Sequence, residues 1–276
     1  MKNLLIIISL VITSNLLYAQ NKLNKENRNP LAIGETVEIN SEILNETRTL
    51  NIYLPNGYSP DSLKTYPVIY LLDGSIDEDF IHVSGIVQFG SFSWINMISE
   101  TIVVGISNVD RKRDFTYPTT IKKDKKDFPT TGESTTFISF IENELQPFIE
   151  MNYKTNSIKT LIGQSLGGLL ATEILFKKPD LFDNYIIVSP SLWWDDESLL
   201  KVDPKSYQKE KSIYIAVGKE GKVMERTAEE LYEILNANKK QYTKLFYHFF
   251  ENQNHGDALH LAVYDAFEKM FRANDE

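Results

Sequence analysis

Five short, uninterrupted apolar runs limit what this chain can fold into. They are Val68-Ile69-Tyr70-Leu71-Leu72, Ile102-Val103-Val104-Gly105-Ile106, Thr160-Leu161-Ile162, Tyr185-Ile186-Ile187-Val188 and Ile213-Tyr214-Ile215-Ala216-Val217. A strand that is apolar at nearly every position must be covered on both faces, as in a mostly parallel sheet with helices on either side. Stretches with helical spacing of apolar residues lie at Thr135–Met151, Leu166–Lys177, Ala228–Ala237 and Asp257–Arg272. Ahead of them, Thr36 to Leu54 alternates around Asn45-Glu46 and stops at Pro55-Asn56-Gly57, the pattern of an antiparallel hairpin. A hairpin followed by alternating strand and helix predicts an α/β fold, a doubly wound, mostly parallel sheet with an antiparallel N-terminal edge and helices on both faces. Any site then lies beyond the carboxyl ends of the strands.

The first 19 residues read differently. Lys2, the apolar stretch from Leu4 onward and Leu17-Tyr18-Ala19 before Gln20 have the layout of a secretory signal peptide cleaved near Ala19. Ser14-Asn15 interrupt the stretch short of the ~20 residues a membrane span needs, so no span is expected after removal. The expected organisation is a signal peptide over 1–19, a polar tail over 20–34 and one domain over 35–276, exported to the periplasm or the exterior. The chain has no cysteine, which excludes disulfides, thiol catalysis, cysteine–zinc sites and a lipid-modified cysteine. The net charge is −9, and loss of Lys2 makes the remainder more negative. Nucleic acid is therefore not an expected partner. The basic run Lys122-Lys123-Asp124-Lys125-Lys126 reads as a solvated loop, with steering of an anionic ligand as its functional alternative. It lies in the longest irregular stretch, Asn108–Gly132.

Gly163-Gln164-Ser165-Leu166-Gly167-Gly168 sits where a strand run meets a helical one. A G-x-S-x-G segment in that setting is a nucleophile elbow, with the serine on a strained turn and its hydroxyl exposed. A serine needs a base. Of the four histidines, His82 lies upstream, His248 lies in the alternating strand Leu245–Phe250, and His260 lies in the last helix. His255 stands in the carboxyl-end loop Glu251–Gly256, in the right chain order for a base. Glu220, in the loop after the penultimate strand, is the first candidate acid. Asp195 and Asp196 are its rivals, and a serine–histidine pair without an acid is the third arrangement. Oxyanion donors are expected at the amides of Leu166 and of Ser75, or Gly74 in its place. Arg111 and Arg113 offer cations for a carboxylate or catecholate, with structural salt bridges to Asp110 or Asp114 as the alternative. Trp193 and Trp194 offer a pocket wall, with core packing as theirs.

Tyr70–Gly74, Asp110–Asp114, Gly163–Gly168, Ser189-Pro190-Ser191-Leu192-Trp193-Trp194 and Asn254-His255 occur in that order. Together they resemble the "putative esterase" family of α/β-hydrolases, which includes siderophore esterases, feruloyl-type esterases and mycolyltransferases. The likeness runs over about residues 35 to 272, and the Ser-Pro-Ser-Leu-Trp-Trp block is most similar to the siderophore-esterase branch. The resemblance implies an α/β-hydrolase fold, Ser165 as nucleophile, His255 as base, and oxyanion amides at Ser75 and Leu166. It leaves the acid open, because some members use only serine and histidine. It also implies a small-molecule ester substrate, an acyl-enzyme, and no metal or organic cofactor. Acyl transfer to an alcohol, a non-catalytic binding protein and, lower, a peptidase are the competing readings. The oligomeric state is left open.

Overall fold

Asn45, in the left-handed region at φ 53°, helps the chain turn between β1 (Gly34–Ser41) and β2 (Glu46–Tyr53). The two pair antiparallel, Ser41 opposite Glu46 and Gly34 opposite Tyr53. This hairpin is the edge of an eight-stranded sheet with order β1-β2-β4-β3-β5-β6-β7-β8. The remaining strands are β3 (Tyr66–Leu71), β4 (Ile102–Ile106), β5 (Thr155–Gln164), β6 (Asn184–Val188), β7 (Lys211–Gly218) and β8 (Thr243–Phe250). β2 runs antiparallel to β4, and every pairing from β4 to β8 is parallel. The computed structural model describes residues 29–272. The expected signal peptide and most of the expected tail lie outside the described residues. Residues 33–272 belong to one compact unit.

Side chains along the buried strands alternate between two cores. Val68, Tyr70 and Leu72 pack on one face with α4 (Ser134–Phe140), α5 (Gln146–Asn152), α6 (Leu166–Lys177), Trp194 of the short α7 (Trp194–Glu197) and α8 (Lys222–Asn238). Ile69 and Leu71 pack on the other with α1 (Phe80–Gly90) and α9 (Ala258–Met270). Two apolar faces per strand are what the uninterrupted runs require. Among the described residues, no helix is long and apolar enough to cross a membrane.

Two expectations need correction. The stretch Asn108–Gly132 contains two short helices, α2 (Arg111–Phe115) and α3 (Lys122–Asp127). Asp110 caps α2 by accepting the Arg113 amide at 3.0 Å, which satisfies an otherwise orphaned N–H. The basic run expected as a loop is α3 itself; it buries nothing, so its solvated character stands. The helix expected over Thr135–Met151 is broken into α4 and α5 by a π-helical turn at Ile141–Leu145. Pro147 lies just beyond that turn, and its missing N–H and its ring disturb the four-residue ladder, which the wider turn absorbs.

Arg48 on β2 and Asp114 on α2 are both completely buried and pair at 2.8 Å. Glu46 accepts from Arg48 and Arg113, and Arg113 also reaches Asp114 at 2.8 Å. The Arg48 guanidinium lies over the rings of Phe137 and Phe140, at 5.0 and 5.8 Å from their centroids. This ionic group ties α2 to the N-terminal hairpin. Breaking a buried pair leaves a charge without compensation. Arg48→Ala is expected to lower stability by about 3 kcal/mol, the low end for such pairs, because Arg113 still reaches Asp114. The urea midpoint of the purified protein measures this.

Candidate active site

β5 ends at Gln164 and α6 begins at Leu166, which leaves Ser165 alone in the turn at φ 61° and ψ −120°. Two glycines make that turn feasible. A Cβ on Gly163 would lie 2.4 Å from the Gly167 carbonyl oxygen, and one on Gly168 would lie 2.9 Å from Pro190 Cα. The Ser165 amide donates to the Val188 carbonyl at 3.1 Å, which seats the turn on the end of β6. The serine hydroxyl is 3.4 Å from the Ser191 hydroxyl; among the described residues it makes no hydrogen bond to His255.

His255 lies beside this turn on the loop between β8 and α9. Its carbonyl accepts from the Gln164 side chain at 2.6 Å, so the residue before the serine fastens the histidine loop. Its Nδ1 meets Glu220 Oε2 at 2.6 Å. Burial pushes the Glu220 carboxyl up, but hydrogen bonds from His255, Ser189 and the Gly218 amide outweigh it and hold the group below the usual carboxylate range. An ionised carboxylate only accepts, so Nδ1 carries a proton and the neutral imidazole is the tautomer whose lone pair lies on Nε2. The Lys219 amide donates to the Gln253 carbonyl at 2.6 Å, joining the Glu220 and His255 loops. Glu225 accepts the Glu220 and Gly221 amides at 3.0 and 2.8 Å, which fixes the start of α8.

Leu166 is the first residue of α6, so its N–H has no acceptor within the helix. The Ser75 amide is held only loosely, by Glu78 at 3.4 Å. Gly74 is a correction. Its amide donates to the Ile106 carbonyl at 3.0 Å and is not free for an oxyanion. What Gly74 supplies is close approach, since a Cβ there would lie 2.3 Å from Gly105 Cα.

The whole arrangement sits at the carboxyl ends of β3, β5, β6, β7 and β8. The family model described as "Putative esterase" matches residues 41–269. The chain belongs to this esterase family. It is 31% identical over 241 residues to the ferri-bacillibactin esterase BesA of Bacillus subtilis, covering 79% of this chain and 83% of that one. The crystal structure of an IroE-like serine hydrolase from Shewanella oneidensis superposes with TM-score 0.77 at 31% identity, over 86% of this chain and 80% of that chain. The BES protein of Bacillus cereus superposes with TM-score 0.78 at 29% identity, over 89% and 97%. The chain is accordingly a carboxylic ester hydrolase with an α/β-hydrolase-like fold.

Several predicted site residues lie elsewhere or do other work. Arg111 donates to both oxygens of Asp73, at 2.6 and 2.9 Å, and to the Gln164 carbonyl at 3.3 Å. Its partner is therefore Asp73, not the neighbouring aspartates that the sequence suggested. Arg113 is engaged by Asp114 and Glu46, so its fork is not open to a substrate. Trp194 is fully buried and donates to the Tyr117 carbonyl at 2.9 Å, which makes it core. Trp193 is half-buried and packs on Phe128, with ring centroids 5.9 Å apart. Asp195 accepts from Thr119 and Thr120, and Asp196 pairs with Lys201; neither carboxylate is bonded to His255. His248 pairs with Asp265 at 2.7 Å, and His82 meets His260 edge-to-face between α1 and α9. An open groove lined by Val223, Glu225, Arg226, Tyr247 and Phe249 holds none of Ser165, His255 and Glu220. Among the described residues no cluster of histidine and carboxylates is arranged to hold a metal ion.

Sequence reasoning overlooked Asp73, Asn108, Gln164 and the hydroxyls of Ser189 and Ser191. Asp73 and Gln164 were visible as parts of motifs, but their partners come from loops distant in the chain.

Asp79, beside this loop, is pushed up to about 6 by burial and by the charges of Asp73 and Glu78, against the pull of Arg111 and His260. The folded state thus holds a proton that the unfolded chain releases near 4. This contribution is most favourable below both values and is lost as the pH rises through about 6. Asp79→Asn removes the ionised form. It is expected to raise Tm at pH 8 by about 2–4 °C, roughly 1 kcal/mol in a domain of this size after screening at a half-exposed position. The gain should vanish near pH 4, and calorimetry at the two pH values measures it.

Proposed function

We propose that the chain hydrolyses a siderophore-type ester through an acyl-enzyme on Ser165. The observation that carries this reading is the 2.6 Å hydrogen bond between His255 Nδ1 and the Glu220 carboxylate, beside a serine on a strained strand-to-helix turn. The carboxylate fixes the tautomer that leaves Nε2 basic and stabilises the imidazolium formed when it takes the serine proton. Ser165 turns from Ser191 towards Nε2 when substrate is bound; such contacts are often loose in a free enzyme. The hydroxyl oxygen attacks the ester carbonyl, and the developing oxyanion is met by the amides of Leu166 and Ser75. His255 returns the proton to the leaving alcohol. It then takes one from water, whose oxygen attacks the acyl-enzyme carbonyl, and gives that proton back to the Ser165 oxygen as the acid is released.

The substrate class rests on the similarity to the ferri-bacillibactin esterase and on the half-buried Trp193, whose ring with Phe128 offers an aromatic wall. Export rests on the layout of residues 1–19, a basic residue, an apolar stretch and a small residue at the cleavage point.

Turnover of p-nitrophenyl acyl esters, a feruloyl ester and a ferric catecholate triester tests the proposal. The triester is expected to be cleaved selectively. Ser165→Ala should reduce turnover to background, and Glu220→Gln should lower kcat by about 10²–10⁴-fold with little change in KM. Full turnover by Ser165→Ala would sink the mechanism.

A further inference from the structure

The three residues Ser189-Pro190-Ser191 follow β6 directly and touch both halves of the candidate site. The Ser189 hydroxyl donates to Glu220 Oε1, the oxygen that also accepts the Gly218 amide at 2.9 Å. The other oxygen, Oε2, faces His255. On the far side of Pro190, the Ser191 amide donates to the Ser165 carbonyl at 3.0 Å, and the Ser191 hydroxyl lies 3.4 Å from the Ser165 hydroxyl. Pro190 itself packs so close to Gly168 that no side chain fits between them.

Ser189 is fully buried and adopts φ 45°, a left-handed conformation that costs an ordinary residue energy and glycine nothing. Its amide donates to the Ala216 carbonyl at 2.7 Å, so the turn is pinned to the end of β7, two residues before Gly218. Conformation alone would be met better by glycine. A serine adds one capability, a hydroxyl donor aimed at a carboxylate whose side chain is almost wholly buried. Such a carboxylate needs its lone pairs met, and without Ser189 the Oε1 atom keeps only one donor.

Building on the reading of Ser165, His255 and Glu220 given above, we propose that Ser189 is a positioning residue for the reaction. Its hydroxyl pins Oε1 so that Oε2 stays directed at His255 Nδ1, and it acts on the chemistry only through Glu220. The same turn carries Ser191 to the nucleophile, so one strained segment sets the acid and the serine relative to each other.

Ser189→Gly isolates the hydroxyl, because glycine keeps the left-handed backbone without strain. It should be made in the full chain, alone and together with Glu220→Ala, and assayed with a p-nitrophenyl ester. The expected result is a fall in kcat of about tenfold, the scale of one hydrogen bond to a charged group, with KM within about twofold. On the Glu220→Ala background the same substitution should change nothing further, the coupling expected of residues that act as a unit. An unchanged kcat for Ser189→Gly, or an equal fall on both backgrounds, would overturn the proposal. Ser189→Ala serves if the glycine variant does not fold.

A second arm needs no turnover. Proton NMR of the Nδ1–H of His255 should show a far-downfield signal in the wild type that is lost in Glu220→Ala and weakened in Ser189→Gly. Persistence of that signal unchanged in Ser189→Gly overturns the positioning role. Loss of the Ser189 effect is thereby distinguished from failure of the catalytic reading, which Ser165→Ala reports separately.

Discussion

The Arg111 guanidinium donates to both oxygens of Asp73 and, more weakly, to the Gln164 carbonyl. Three segments far apart in sequence meet there: the turn after β3, the start of α2 and the last residue of β5. Asn108 adds a 2.7 Å bond to Asp73 Oδ1, and Asn51 on the hairpin holds the Gly74 carbonyl at 2.9 Å. The turn that presents the Ser75 amide is therefore fixed from three sides, although Asp73 itself sits at φ 55°. Gln164 passes the linkage on, since its side chain grips the His255 carbonyl. A bidentate arginine–carboxylate pair suits this junction, because its planar fork fixes orientation as well as distance.

That junction depends on the N-terminal hairpin, which at first sight is only an edge to the sheet. α2 has five residues and could not hold its position by its own helical bonds. It is held by Asp114, which is locked between Arg48 and Arg113, and by Phe115, buried against Phe137. A buried ionic group of this kind contributes little net stability compared with well-packed apolar side chains. What it contributes is a defined geometry. The charges can be satisfied in few arrangements, and the arrangement adopted places Arg111 one helical turn before Asp114, where it faces Asp73.

The parts of this structure that were legible in the sequence are those with a short-range physical signature. Uninterrupted apolar runs bounded by turn residues and rich in β-branched side chains read as strands covered on both faces, and the hairpin reads from its alternation. Ser165 was marked by glycines that the steric contacts with Gly167 and Pro190 require. Glu220 and His255 are legible because each stands in a loop at a strand's carboxyl end, and the fold brings those loops together. Less legible were side chains whose partners are chosen by tertiary contact. Nothing local tells Arg111 to prefer Asp73 over Asp110, or sends Trp194 inward while leaving Trp193 half-buried. The partner of the Gly74 amide is hidden for the same reason, because its acceptor, Ile106, lies on another strand. The π turn at Ile141–Leu145 was hidden because apolar spacing over Thr135–Met151 is almost unaffected by one extra residue.

The same reasoning bears on the long stretch 108–132, which a reading of composition alone would leave as a loose loop. Asp195, Asp196 and Glu197 follow Trp194 with φ of 50°, 54° and 59°, three left-handed residues in succession. Such a run is unfavourable by about 1–2 kcal/mol per residue and persists only where surrounding contacts fix it. Asp196 pairs with Lys201 and Glu197 with Arg226, while the contacts of Asp195 come from the stretch itself. The Asp195 carboxylate binds the Thr119 hydroxyl and the Thr120 amide and hydroxyl, and the Asp195 amide reaches Asp124 at 3.1 Å. Trp194 donates to the Tyr117 carbonyl from the same turn. Burial raises the Asp195 carboxyl, but the donors of Thr120, Ser198 and Thr119 outweigh it and keep the group below its ordinary range, as expected for a charge held by several donors. The wall that includes Phe128 and Trp193 is thus tied to the segment that follows the Ser-Pro-Ser turn. Shape and chemistry at this end of the sheet share one set of constraints, and a change that frees Asp195 would loosen the wall while leaving the Glu220–His255 bond untouched.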